Sequence, residues 1–201
     1  MLRIIFLTTL MSAFLLTSTQ AAPPWVHLSD ITQVIRNAPF MVKSRDMLRE
    51  FKTQRTTPCS VSATPPCPKT IWEKKIQELA GKSRRDQIEG VNSFFNAFRY
   101  ISDGNKDVYA TPFELISRNG GDCEDTAFAK LLMLVELGFN SETSYVAIAK
   151  AYNDIWHAYA LVSFEGSMSK LDIFPPITAA RPIFLIDATA HFLTPIYPGQ
   201  M

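Results

Sequence analysis

The sequence predicts an α+β fold, in which helices come first and a small antiparallel sheet follows. Apolar residues recur at helical spacing in the first part of the chain, whereas residues 157–164 alternate and are rich in β-forming types. A run of helices followed by a run of strands is typical of this class. The length of 201 residues, with 47% hydrophobic and 19% charged residues, fits one globular domain.

The predicted helices account for most of the chain before Gly138. Helical spacing of apolar residues begins within residues 25–52 and is clearest in the segment 84–100. That segment carries one apolar stripe, formed by Ile88, Val91, Phe94, Phe95 and Phe98. Helices are predicted over residues 71–80, 84–100, 112–116 and 123–137. Gly138 ends the last of them, because glycine favours the position after a helix.

Three short strands are predicted after Gly138, over residues 143–149, 157–164 and 183–186. The first two are separated by a turn at Asn153 and Asp154, and the third ends at Asp187. Strands this close in sequence pair most simply as an antiparallel sheet.

The first 21 residues predict a secretory signal peptide. Arg3 supplies a positive charge, an apolar run follows, and Thr19 and Ala21 suit a cleavage site after residue 21. The run is shorter than the roughly 20 residues that span a bilayer, which ranks a membrane anchor second. We expect an exported protein with one mature domain, residues 22–201, and no stable membrane span. The net charge of +1 over the full 201 residues gives no sign of a general nucleic-acid-binding protein.

The chain has three cysteines, and their surroundings differ. Cys59 and Cys67 bracket a proline-rich stretch, so an oxidising compartment favours a disulfide between them. Cys123 is then the odd cysteine. It follows Gly120 and Gly121 and opens a predicted helix, where the helix dipole and backbone N–H groups favour a thiolate. The position suits a nucleophile better than a buried structural thiol.

A thiol nucleophile needs a base, and His157 is the strongest candidate among three histidines. It opens a predicted strand, from which a ring projects in a fixed direction. Asp187 ends another apolar run, where a carboxylate needs a partner, and His157 is a suitable one. The sequence therefore predicts a Cys123–His157–Asp187 triad.

Three carboxylates surround Cys123, and two explanations for them stay open. Asp122 suits the N-cap position, and Asp125 suits the first turn of the helix. Alternatively, Asp122, Glu124 and Asp125 contribute oxygen ligands to a cation that offsets their charge beside the thiol. Calcium prefers such ligands but takes about 6–8 of them.

Four motifs together carry a resemblance to a known family. They are VNSFFN at 91–96, YISD at 100–103, YATPFE at 109–114 and NGGDCED at 119–125. In this order, they resemble the bacterial transglutaminase-like cysteine proteinases of the LapG type, over about residues 85–190. The last motif is the most specific, and His157 and Asp187 fall where the family has its histidine and aspartate.

The resemblance implies a papain-like, transglutaminase-like fold with the catalytic cysteine at a helix N-terminus. It implies a periplasmic, calcium-dependent endopeptidase that cuts the N-terminal region of a large surface adhesin at a di-alanine site, which promotes biofilm dispersal. It also implies that Asp122 and Glu124 bind Ca²⁺. The expected partners are the adhesin and the periplasmic domain of an inner-membrane receptor for cyclic di-GMP.

The chain departs from the family at a few positions, and two other functions remain open. Residues 103–109 form a shorter loop than usual, Thr126 replaces a common tyrosine, and Ala188 stands where asparagine is frequent. These departures concern substrate preference and receptor binding. The alternatives are acyl transfer to an amine, as in transglutaminases, and a non-catalytic calcium-binding module of the periplasm.

Overall fold

The computed structural model describes residues 39–59, 66–150, 155–173, 182–187 and 193–195. The predicted signal peptide and the predicted turn at Asn153 and Asp154 lie outside these ranges. Within them, five α-helices precede and flank a five-stranded sheet. The helices are α1 (Pro39–Thr56), α2 (Pro68–Ala80), α3 (Arg84–Asn96), α4 (Pro112–Arg118) and α5 (Cys123–Glu136). The predicted α+β class, with helices first, is confirmed.

The strands form two separate sheets. A two-stranded parallel sheet joins β1 (Arg99–Tyr100) to β2 (Gly120–Gly121). The larger sheet is antiparallel and has the order β5-β4-β3-β6-β7. Its strands are β3 (Ser144–Lys150), β4 (Trp156–Phe164), β5 (Ser167–Leu171), β6 (Pro182–Asp187) and β7 (Leu193–Pro195).

Two differences from the predicted elements can be traced to particular residues. The helix predicted over residues 84–100 ends at Asn96, because Arg99 and Tyr100 pair with the two glycines of β2 instead. Strand β5 was not predicted. It follows β4 through Glu165 and Gly166, whose φ angles of 50° and 77° form a tight reversal that glycine favours at its second position.

The main core lies between α5 and one face of the sheet. Helix α5 is buried on nearly every side, and β4 packs directly against it. An aromatic cluster fills the space between the helices: Phe51, Trp72, Phe95 and Phe113 pack edge to face or tilted, with ring centroids 5.0–6.1 Å apart. The core therefore fixes the start of α5 relative to the start of β4, which is where the predicted nucleophile and base are located.

A disulfide joins the end of α1 to the start of α2. Cys59 and Cys67 are bonded, with Cα atoms 6.0 Å apart. None of the helices in the described ranges has the length and apolar character needed to cross a bilayer.

Candidate active site

Cys123 is the first residue of α5, and the two glycines before it are required by close packing. A Cβ atom on Gly120 would lie 2.4 Å from the carbonyl oxygen of Arg99 in the neighbouring strand. A Cβ atom on Gly121 would lie 2.6 Å from Asp125 Oδ2. Such distances are far inside van der Waals contact, so neither position accepts a side chain without a shift. The glycine pair thus brings β2 and the start of α5 close together.

Asp125 ties the start of α5 to the segment that precedes α4. Its Oδ1 accepts a 2.6 Å hydrogen bond from the backbone of Ala110, and its Oδ2 accepts from the backbone of Asp122 at 3.4 Å. Burial, followed by the charge of Asp122, raises the pKa of Asp125 to about 7. This agrees with the prediction that Asp125 acts in the first turn of the helix.

The thiol of Cys123 opens into a cavity of about 320 Å³. The cavity has an apolar wall and four polar or ionisable residues. The wall consists of Pro39, Phe40, Tyr109, Ile148, Trp156 and Ala158, and the other lining residues are Asp107, Cys123, Glu124 and His157. The predicted nucleophile and the predicted base thus share one cavity, and its apolar surface suits a substrate side chain.

The protein surroundings of the thiol favour its protonated form. Burial raises the pKa of Cys123, and the charge of Glu124 and a hydrogen bond from Sγ to Glu124 Oε2, at 3.1 Å, raise it further. A backbone hydrogen bond at Ala158 acts in the opposite direction. Formation of the nucleophilic thiolate therefore needs a base close by or a compensating positive charge.

His157 is held by a carboxylate, and that carboxylate belongs to Asp172. The ring nitrogen Nε2 lies 2.8 Å from Asp172 Oδ1, and the second oxygen of Asp172 accepts from Lys170 Nζ at 2.9 Å. Burial alone would raise the pKa of Asp172. The hydrogen bonds and charges of His157 and Lys170 outweigh it and lower the pKa to about 2. Asp172 is thus an anion that accepts a hydrogen bond from Nε2–H of His157, which leaves Nδ1 of the ring without that proton.

The sheet register does not bring Asp187 to His157. Asp187 pairs with Tyr145 of β3, whereas His157 pairs with Ala149, four residues further along that strand. Four residues span about 13 Å, and two strand spacings add about 9.6 Å at right angles, so the two Cα atoms lie about 16 Å apart. Histidine and aspartate side chains are too short to form a hydrogen bond of about 2.8 Å when their Cα atoms are this far apart.

Sequence reasoning missed Asp172 although a signal was present. Asp172 directly follows the segment SMSKL that becomes β5, just as Asp187 ends β6. Both aspartates therefore suit the end of a strand. They are distinguished only by strand pairing, because β5 pairs with β4, the strand that carries His157, whereas β6 pairs with β3.

The carboxylates predicted to bind calcium lie together beside Cys123. Asp122 Oδ1 is buried and has no hydrogen-bond partner, and Glu124 lines the cavity. Burial and the charge of Asp122 raise the pKa of Glu124 to about 8. In the parts of the chain that the structure describes, no group of three or more His, Cys, Asp or Glu side chains is arranged to hold a metal. An unpartnered oxygen among crowded carboxylates fits a hard cation, with further ligands from backbone or water.

Comparison with known proteins supports the resemblance read from the motifs. No protein-family model matches the chain. The calcium-bound structure of Legionella pneumophila LapG matches with a TM-score of 0.57 and 24% identity, over 76% of this chain and 91% of that chain. The EGTA-treated form of the same protein matches with a TM-score of 0.54 and 25% identity, over 68% of this chain and 80% of that one. The fold is that of LapG-type, transglutaminase-like cysteine proteases, as the sequence predicted.

One match to a curated protein is to an enzyme of another class and covers only part of it. A UDP-N-acetylglucosamine–N-acetylmuramyl-(pentapeptide) pyrophosphoryl-undecaprenol N-acetylglucosamine transferase from Lachnospira eligens is 28% identical over 106 residues. The match covers 51% of this chain but only 29% of that protein. The chain thus spans less than a third of the transferase.

Proposed function

We propose that this chain is a cysteine endopeptidase of the LapG type, with Cys123 as nucleophile, His157 as general base and Asp172 as the residue that orients the histidine. One observation carries the proposal. His157, held at Nε2 by the anionic Asp172, lines the same cavity as the thiol at the start of α5. Asp172 takes the role that the sequence assigned to Asp187.

The geometry supports acyl transfer from an amide in two stages. His157 Nδ1 removes the thiol proton as Cys123 Sγ bonds to the carbonyl carbon of the substrate. The backbone N–H of Cys123, at the positive end of α5, suits the oxyanion that forms. His157 then protonates the leaving amine, which departs and leaves a thioester. Water attacks the thioester with the help of His157, and this step releases the carboxylic acid and the thiol.

Calcium is part of the proposal, and Asp122 and Glu124 are the residues that would hold it. Calcium held there would supply positive charge beside Cys123, and this charge would favour the thiolate over the thiol. The buried, unpartnered Asp122 Oδ1 and the raised pKa values of the neighbouring carboxylates support this assignment. One of the L. pneumophila LapG structures that match this chain is calcium-bound.

The proposed substrate is a large surface adhesin, cut near its N-terminus at a di-alanine site and released from the cell, with biofilm dispersal as the outcome. The proposed compartment is the periplasm, and the proposed regulator is the periplasmic domain of an inner-membrane cyclic di-GMP receptor. Support comes from the signal-peptide pattern of residues 1–21 and from the resemblance around Cys123.

A cleavage assay tests this function. The mature protein is incubated with the recombinant N-terminal fragment of a large adhesin from the same genome, with calcium or with EGTA. We expect one cut that requires Cys123 and calcium. The variant Cys123→Ala removes the nucleophile, Asp122→Asn removes a calcium-binding charge, and Asp46→Asn is the control at an exposed carboxylate.

The outcomes separate the alternatives. A cut that persists in EGTA would retain the protease and refute the calcium requirement. Incorporation of a fluorescent amine in place of hydrolysis would indicate transglutaminase-type acyl transfer. If no product forms and iodoacetamide leaves Cys123 unmodified, the chain is a non-catalytic module.

A further inference from the structure

A lysine with no exposed surface lies within α5, and the proposed chemistry does not use it. Lys130 is 0% exposed, and its Nζ donates a 2.6 Å hydrogen bond to Asn96 Oδ1. Burial lowers the pKa of Lys130 to about 8, while the charge of Asp172 acts in the opposite direction. A buried ammonium is costly unless its partners compensate, so its position calls for an explanation.

Asn96 connects this lysine to Asp172. It is the last residue of α3, and its Nδ2 donates a 2.9 Å hydrogen bond to the backbone oxygen of Asp172. An ammonium group only donates hydrogen bonds. Lys130 therefore fixes the amide orientation, with Oδ1 toward the lysine and Nδ2 toward Asp172.

The contact with Asn96 reaches Asp172 just beyond the end of the β4–β5 ladder. The ladder between β4 and β5 ends at the pair Ala160 and Leu171, one residue before Asp172. Lys130 is located on the helix that begins with Cys123, seven residues or about 10.5 Å further along. The hydrogen bonds thus position the carboxylate relative to the helix that carries the thiol.

We propose that Lys130 and Asn96 are positioning residues, which hold Asp172 against His157 by way of the Asp172 backbone. The inference rests on the proposed function, because it assigns these residues to the same site. A purely structural role is the competing explanation, in which the Lys130–Asn96 pair only joins α3 to α5.

The substitution Asn96→Asp separates the two explanations. The new carboxylate keeps an acceptor for Lys130 and adds an opposite charge, so the contact between α3 and α5 persists. Its second oxygen faces the carbonyl oxygen of Asp172, and two acceptors cannot hydrogen-bond. The link to Asp172 is thus lost while the link to Lys130 remains.

The experiment measures kcat and KM on a fluorogenic peptide that spans the di-alanine bond of the adhesin fragment. For Asn96→Asp we expect kcat to fall about tenfold, KM to change less than twofold and Tm to stay within a few degrees. The exposed amide-to-carboxylate change Gln77→Glu is the control and should leave kcat unchanged. Wild-type kcat in Asn96→Asp would overturn the inference.

A second variant and an activity-independent measurement complete the test. Lys130→Met removes the donor that orients Asn96 and should lower kcat. The control Lys74→Met, at an exposed position on α2, should leave kcat unchanged. In protein labelled with ¹⁵N-histidine, the ring N–H resonance of His157 should shift in Asn96→Asp and persist in Gln77→Glu. An unchanged resonance refutes the positioning role, whereas a wild-type protein that cuts no fragment refutes the proposed function alone.

Discussion

Replacing Asp172 with alanine should impair catalysis far more than the same change at Asp187. Asp172→Ala removes the acceptor that lies 2.8 Å from His157 Nε2, so the ring loses the contact that fixes its tautomer and direction. Asp187→Ala is the matched control, because the residue type is the same and the β3 register places its Cα about 16 Å from that of His157.

The size of the effect follows from the kind of bond. A hydrogen bond to a charged group contributes about 1.5–3 kcal/mol. If the contact is needed fully in the transition state, its loss lowers kcat about 10- to 150-fold. Asp172→Asn keeps a neutral oxygen that accepts from Nε2, so we expect it to retain more activity than the alanine variant. Asp187→Ala should change kcat less than threefold.

The assay follows cleavage of the adhesin fragment under saturating substrate, with circular dichroism to verify that each variant is folded. Labelling of Cys123 by iodoacetamide gives a second measurement, since an unoriented His157 should slow thiolate formation. A larger loss in Asp187→Ala than in Asp172→Ala would refute the reasoning from sheet register. Equal and small losses in both would show that neither aspartate orients the histidine.

Three further predictions concern stability. The folded-state pKa of Asp172 lies below its unfolded value, so its contribution to the free energy of unfolding is complete above about pH 4 and is lost as pH falls toward 2. Asp172→Asn should therefore reduce the acid-induced loss of stability by at most about 2 kcal/mol, whereas the control Asp46→Asn should leave it unchanged. Gly121→Ala forces a Cβ against the side chain of Asp125, which two hydrogen bonds hold in place, and should lower the free energy of unfolding by about 1–3 kcal/mol. Gly81→Ala, where a Cβ meets nothing within 4 Å, should be nearly neutral, and equal Tm values for the two variants would contradict the packing argument. Replacing both Cys59 and Cys67 with serine opens a loop with a sequence separation of 8 and should cost about 2–3 kcal/mol in urea unfolding, and dithiothreitol should destabilise the wild type but not this variant.

Much of the molecule follows from local sequence. The helix beginning at Cys123 was predicted because Asp122 and the two glycines are start signals in the chain itself, and the strand from His157 alternates visibly. Such signals depend on neighbouring residues, so no tertiary knowledge is needed to recognise them. The α+β class and the location of the proposed nucleophile and base followed from these elements.

Long-range pairing decided the rest. Asp172 and Asp187 both follow or end a strand, so the sequence does not distinguish them. The order of strands in the sheet places Asp172 beside His157, whereas Asp187 pairs with β3 at a position four residues from the one that pairs with His157. The glycines of β2 likewise end α3 at Asn96 by pairing with Arg99 and Tyr100, and that end places Asn96 between Lys130 and Asp172. A hydrogen bond between residues 76 positions apart has no local signature, because its energy depends on how separate elements pack. The sequence therefore indicated cysteine-protease chemistry, and the tertiary structure decided which carboxylate lies against the candidate base.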